Sequence, residues 1–223
     1  MATARKTRPR TGAKSDTVKK IIARLEKAHP DAKLDLDFTN PLELLIALIL
    51  AAQARDDLVN RVTVELFKAD RTASDYANTP LAKLQSQIGK INFYRNKAKS
   101  IHNCCQALVD RFGGQVPDSL DDLVSLPGVG RKTANIVLGN AFGRQTIGVD
   151  THVMRLSQRL GFTKNTDPDK IEGDLMDIVP EKQRVHFCHL MQYHGRRVCF
   201  AKKPKCPECT IKELCPFKEK TNG

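Results

Sequence analysis

No apolar run in this chain is long enough to cross a bilayer. The longest, Leu44 to Ala52, falls far short of the ~20 residues that a spanning helix needs. A secretory signal is lacking too, because the stretch from Met1 to Lys14 carries Arg5, Lys6, Arg8, Arg10 and Lys14 with no acid and no apolar h-region. Residues 1–15 therefore read as a disordered basic arm, with an organelle-targeting peptide as the alternative. Acids are in short supply: 25 Asp and Glu stand against 37 Lys and Arg, a net charge of +12. Such a surplus favours a polyanionic partner, since each neutralised phosphate releases condensed counterions. Plain solubility or an acidic membrane surface are the competing explanations. Seven cysteines, an odd number with no secretory signal, argue against a disulfide framework and for a cytoplasmic setting. No segment alternates as a half-buried strand does, and no repeat or heptad is visible.

Helical periodicity is what the chain has instead. Asp16 can cap a helix with the stripe Val18, Ile21, Ile22 and Leu25, ended by His29-Pro30. Asn40-Pro41-Leu42-Glu43 reads as a capping box with proline at the first helical position. The helix it opens is apolar nearly all round and is expected to be buried. Val59, Val62 and Leu66 mark another helix, Leu81, Leu84 and Ile88 a shorter one. Ala98, Ile101, Cys105, Leu108 and Phe112 follow the same period until Gly113-Gly114. Val153, Leu156 and Leu160, then Ile171, Leu175 and Ile178, form two later stripes. The fold class is all-α. Beyond Gly195 the chain becomes Cys-, Pro- and Lys-rich and loses its period.

Three motifs carry chemistry. Cys199, Cys206, Cys209 and Cys215 are spaced C-x6-C-x2-C-x5-C, enough thiolates to close one metal site and so hold a segment without a core. Spacing alone leaves iron–sulfur and zinc both open. Arg196, Arg197, Lys202, Lys203 and Lys205 on the same loop suit a phosphate clamp. Cys104, Cys105 and Cys188 lie on helical stretches and suit core packing. In Leu126-Pro127-Gly128-Val129-Gly130-Arg131-Lys132-Thr133-Ala134, glycines let backbone approach a ligand and the amides of a helix N-terminus face an anion. This stretch resembles the helix-hairpin-helix signature, which grips a DNA phosphate without reading sequence. Lys132 is either a phosphate contact or a nucleophile. The helix dipole disfavours a second positive charge there, and a nucleophilic amine needs such surroundings. In Gly148-Val149-Asp150-Thr151-His152, Asp150 reads as an N-cap whose carboxylate could also stabilise an oxocarbenium-like centre or assist proton transfer.

Together with DFTNPLELL (37–45) and AAQARD (51–56), these motifs in this order make residues 16 to 217 similar to the endonuclease III family, within the helix-hairpin-helix–Asp superfamily of DNA glycosylases. The resemblance implies a two-lobed helical fold. One lobe is a six-helix barrel over residues 34–144, with the hairpin motif at about 121–142. The other joins residues 16–33 to 145–217 and carries a [4Fe–4S] cluster on Cys199, Cys206, Cys209 and Cys215. Duplex DNA lies across the cleft where Lys132 and Asp150 face each other, and an oxidised pyrimidine is flipped out into it. Lys132 is then the catalytic nucleophile, Asp150 its catalytic partner, and strand cleavage follows by β-elimination through a Schiff base. Gln53 fills the hole left by the flipped base and Phe93 is a wedge on the opposite strand. Leu126, Gly128, Val129, Gly130, Arg131, Thr133 and His152 complete the DNA contacts. The partner is duplex DNA with oxidised pyrimidines or abasic sites, with no membrane, and the protein acts as a monomer, nucleoid-associated in a prokaryotic-type cytoplasm.

Three positions depart from the family pattern. Ala51 and Arg55 stand where Ser and Thr are common, and Phe93 replaces the usual Leu. The related adenine glycosylase lacks the lysine nucleophile and appends a long C-terminal domain, whereas this chain keeps Lys132 and ends shortly after Cys215. A helix-hairpin-helix scaffold without activity, or a redox protein built on the cluster, are the non-glycosylase alternatives. The presence of both Lys132 and Asp150 speaks against them.

Overall fold

The computed structural model of the protein describes residues 11–221. Every regular element among them is helical. Helix α1, Thr11–Ala28, buries Val18, Ile21, Ile22 and Leu25 as its stripe requires. It starts before Asp16, so Asp16 is not its cap but an exposed residue 3.6 Å from Lys19. Residues 11–15 are thus helical rather than part of a disordered arm, and Lys14 Nζ ties this extra turn to the Phe162 carbonyl at 3.1 Å. The remainder of the expected basic arm, residues 1–10, lies outside the described residues.

Residues 34–144 form one compact unit. Its centre is α2, Pro41–Ala51, with Leu44, Leu45, Ile46, Ala47 and Leu50 wholly buried. Each buried leucine or isoleucine contributes about 1.5–3 kcal/mol. The Asn40 side chain accepts from the Glu43 amide at 3.0 Å, but the Glu43 carboxylate reaches back to the Thr39 amide at 2.6 Å rather than to Asn40. Only half of the expected capping box forms, because Thr39 offers that carboxylate both an amide and a hydroxyl, the latter at 2.8 Å. Helix α3, Asp56–Ala69, packs on α2 and is followed in the chain by α4, Ala73–Asn78, and α5, Leu81–Gln87. Next comes α6, Tyr94–Phe112, stopped by Gly113 in the left-handed conformation. The short α7, Leu120–Val124, leads to α8, Arg131–Ala141. Two short helices had no stripe to announce them. They are held by local caps: Thr72 and Asp75 form a reciprocal capping box on α4, and Ser119 caps α7.

The second unit takes the residues up to 33 and those from 145 onward. Helix α1 contacts α10, Pro168–Ile178, and α11, Arg184–Arg197, while α9, Thr151–Arg159, packs on α11 and α10. Its core includes Ile147, Val153, Leu156, Ile171, Leu175, Phe187, Leu190 and Met191. Among the described residues beyond α11 the regular elements are short 3-10 turns, at 206–208 and 212–214, and Pro204 and Ile211 are buried apolar anchors. Cys104, Cys105 and Cys188 are buried in the two cores, and burial pushes their thiols well above the ordinary range. No described helix is long and apolar enough to cross a membrane.

Candidate functional site

Helix α7 ends at a turn whose buried side chains, Leu126 and Val129, anchor it in the core of the 34–144 unit. Their side chains are spent on that packing, so only their backbone can meet a ligand. The Leu126 amide donates to the Leu123 carbonyl at 3.1 Å and the Val129 amide to the Leu126 carbonyl at 3.2 Å. Arg111 on α6 staples the turn by donating to the Ser125 hydroxyl at 2.8 Å. Between them Gly128 has φ of +79°, and a Cβ there would stand 3.0 Å from the Ser100 Cβ. The conformation therefore favours glycine at 128, and the space for any side chain there is tight. Gly130 is extended and is the N-cap of α8, with no side-chain cap to cover the helix's first amides. That leaves the positive end of the helix dipole open to an anion. Lys132, the second residue of α8, is exposed at this end, between exposed Arg131 and half-buried Thr133.

Two further residues named from the resemblance lie in the same unit. Gln53 follows α2 and Phe93 is the N-cap of α6, and both are exposed. Phe93 keeps 62% of its surface, so it is no part of the core. Both adopt left-handed backbone, with φ of 56° and 59°, and Lys203 is the third non-glycine residue to do so among the described residues. Such conformations are uncommon outside glycine and cluster where a structure holds a residue for use. Ala51 is half-buried, and Arg55 is exposed with its Nε 3.4 Å from Asp57.

In the second unit Asp150 caps α9, its Oδ1 accepting from the Val153 amide at 2.7 Å. It is half-buried beside Val149 and Ile147, which fix the approach to the helix. His152 turns toward Gly195, where an added Cβ would fall 2.7 Å from its Nδ1. Burial holds the His152 imidazole below its usual range.

Cys199, Cys206, Cys209 and Cys215 are all unpaired and line one cavity together with Arg159 and His194. Among the described residues no group of three or more His, Cys, Asp or Glu is gathered closely enough to hold a single ion. Arg159 donates to Cys199 Sγ at 3.2 Å and to the Phe200 and Ala201 carbonyls at 2.7 and 2.9 Å. Arg155 donates to the Gly195 and Cys199 carbonyls at 3.1 and 3.0 Å. Sequence reasoning missed this pair, although their i, i+4 spacing on the polar face of α9 was visible. His194 Nε2 lies 3.4 Å from Cys209 Sγ, and its Nδ1 lies 3.1 Å from His29 Nε2. Burial, then the neighbouring His29, lowers His194 to about 4, so the ring is neutral at physiological pH. Burial pushes the Cys209 and Cys215 thiols up, and the neighbouring cysteines add to it. A strongly charged cationic centre bound among the four cysteines would reverse that preference at Cys209 and Cys215, since a coordinating thiol is deprotonated. Of the cations on this loop, Arg197 is engaged elsewhere: it forms a bidentate pair with Asp31 at 2.9 and 2.6 Å and lies over the Tyr193 ring. It therefore drops out of the expected phosphate clamp.

Known proteins share this chain's sequence pattern and fold. Residues 46–181 match the family described as HhH-GPD superfamily base excision DNA repair protein. Endonuclease III of Synechocystis is 45% identical over 205 residues, covering 92% of this chain and 94% of that protein. Endonuclease III of Escherichia coli is 39% identical over 202 residues, covering 91% and 96%. Among solved structures, a trapped endonuclease III–DNA covalent intermediate in an estranged-adenine complex superimposes with a TM-score of 0.86 at 44% identity, covering 91% of this chain and 95% of that one. A thermostable thymine-DNA glycosylase gives 0.84 at 22% identity, covering 92% and 98%, which extends the likeness of fold. With such identity and coverage, the chain belongs to the endonuclease III family of base-excision repair enzymes, DNA glycosylases with AP lyase activity.

Proposed function

We propose that the protein removes oxidised pyrimidines from duplex DNA and cuts the resulting abasic site with Lys132 as nucleophile. The observation that carries this reading is an exposed lysine on the uncapped N-terminus of α8, beside a hairpin built for close backbone approach. The Lys132 amine attacks the sugar C1′ and the glycosidic C–N bond breaks, so the base leaves with the bonding pair. The amine loses a proton, its nitrogen lone pair opens the sugar ring as the C1′–O4′ bond breaks and O4′ takes up a proton, and a protonated Schiff base joins protein to sugar. Loss of a 2′ proton then expels the 3′ oxygen by β-elimination, and water frees Lys132. Asp150 assists departure of the base, its capped carboxylate sitting on an ordered helix start. Gly128 and Gly130 offer backbone to a DNA phosphate, Leu126 and Val129, whose amides bond within the turn, hold that backbone in place, and Arg131, Thr133 and His152 are further contacts.

Cys199, Cys206, Cys209 and Cys215 would hold a [4Fe–4S] cluster, which pins the loop in place of a hydrophobic core. Thiols spread around a common cavity suit a multi-iron centre better than a single zinc, whose ligands converge at ~2.3 Å. The barrel and cluster lobes of the family correspond in this reading to residues 34–144 and to 16–33 with 145–217. A monomer working in the cytoplasm near the nucleoid is part of the same reading.

A panel of lesion duplexes tests it. Release of oxidised pyrimidines, with a nick 3′ to the lesion, is the expected result, and no release from any member overturns it. Asp150→Asn keeps a capping side chain and is expected to slow base removal more than cleavage of a preformed abasic site. Equal loss in both assays would make Asp150 structural only. For Phe93→Ala, base–aromatic stacking of about 1–3 kcal/mol is lost. Excision of a paired lesion should fall roughly ten- to a hundredfold, while the melting temperature, given the ring's exposure, stays within a few degrees. A steep loss of stability with both substrates impaired alike would end the wedge assignment.

A further inference from the structure

One buried cation has no part in the chemistry above. Lys97, in the first turn of α6, is only 6% exposed, and among the described residues no carboxylate pairs with it. Its Nζ instead donates to the Leu50 carbonyl at 2.8 Å, in the last turn of α2. Desolvation holds this amine below the usual lysine range. Burying an ammonium without a counter-charge is unfavourable, so what the contact achieves matters. Helix α2 has no basic residue of its own in its last turn, and Lys97 supplies the charge its C-terminal dipole favours.

The same residue is tied at its other end. The Lys97 amide donates to the Phe93 carbonyl at 3.1 Å, and the Asn96 amide donates to it at 3.0 Å. One residue thus links the carbonyl of Phe93 to the helix end from which Gln53 projects. The turn after α2 is closed by the Ala54 amide on the Ala51 carbonyl at 3.0 Å. Both Gln53 and Phe93 are exposed and left-handed, conformations that persist only when surrounding structure over-determines them.

We propose that Lys97 is a positioning residue that holds Gln53 and Phe93 in fixed register, so that they enter the duplex as a coupled pair when a base is extruded. This rests on the assignment of Gln53 and Phe93 to hole filling and wedging. The lyase step on an abasic site, which has no base to unstack, does not depend on it.

Single-turnover excision of a thymine glycol duplex and borohydride trapping on an abasic duplex form the test, run on the full chain. Lys97→Met keeps the length and removes the donor. It should slow excision about ten- to a hundredfold and leave trapping within about threefold. Lys97→Arg should restore most of the excision rate. Lys97→Met combined with Phe93→Ala should be no slower than the slower single variant, because residues acting as one device are not additive. Wild-type excision by Lys97→Met, equal loss in both assays, or effects that multiply in the double variant would each overturn the proposal. If Lys97→Met does not fold, Lys97→Gln is assayed in its place with the same outcomes. If Gln53→Ala and Phe93→Ala both excise at the wild-type rate, the assignment of those residues fails and the proposal with it. If they are slow while Lys97→Met is not, only the strut fails.

Discussion

Borohydride should link the wild-type chain covalently to an abasic-site duplex, and Lys132→Gln should form no such adduct. The effect is all-or-none, because reduction captures a Schiff base and glutamine cannot form one. Lys132 is exposed in the first turn of α8, so its replacement should alter stability by no more than about 0.5 kcal/mol. Binding of abasic DNA should survive, since the hairpin glycines and the α8 amides are untouched. A gel of reduced complexes beside a binding isotherm and a melting curve checks all three. Undiminished trapping by the variant would move the nucleophile to another amine.

The second large effect is expected at the cysteines. The purified protein should be yellow-brown, with iron and acid-labile sulfide. Cys209→Ser should lose most of both, and DNA binding should weaken with them. Among its described residues the segment after α11 has no regular structure beyond short 3-10 turns, and its buried apolar residues are Pro204 and Ile211, so much of its hold is lost once the centre is gone. Arg155 and Arg159 would still grasp the carbonyls of residues 195 and 199–201, so loosening should be greatest from Cys206 onward. Limited proteolysis locates it. Colourless protein with stoichiometric zinc, prepared without air, would replace iron–sulfur with zinc.

Helices long enough to show two turns of stripe were legible in the sequence, as were the hairpin and the terminal thiols. The α2 start was readable because Asn40 and Pro41 act locally. Helices α4 and α7 were not, since 6 and 5 residues cannot display a period. The start of α1 was misplaced because a good cap at Asp16 was available locally, while the bond from Lys14 to Phe162 is made across the chain. Arg155 and Arg159 looked like an ordinary solvated face for the same reason: the carbonyls they hold lie some 40 residues away, at separations of 40 to 44 for the bonds to Gly195, Cys199 and Phe200. The exposure of Phe93 was likewise settled by tertiary structure, since an aromatic ring beside Ile91 and Tyr94 fits a core equally well on pattern alone.

The two units differ in how the ribosome can deliver them. Residues 34–144 are contiguous, so every partner of α2 has been synthesised once α8 has emerged. The other unit is stitched from both ends of the chain, and α1 meets its partners α10 and α11 only after the intervening unit has passed. Domains fold as units during synthesis, N-terminal material first, yet here α1 must wait for α10 and α11. Assembly is therefore ordered from the middle outward, with the apolar stripe of α1 left unsatisfied for most of translation.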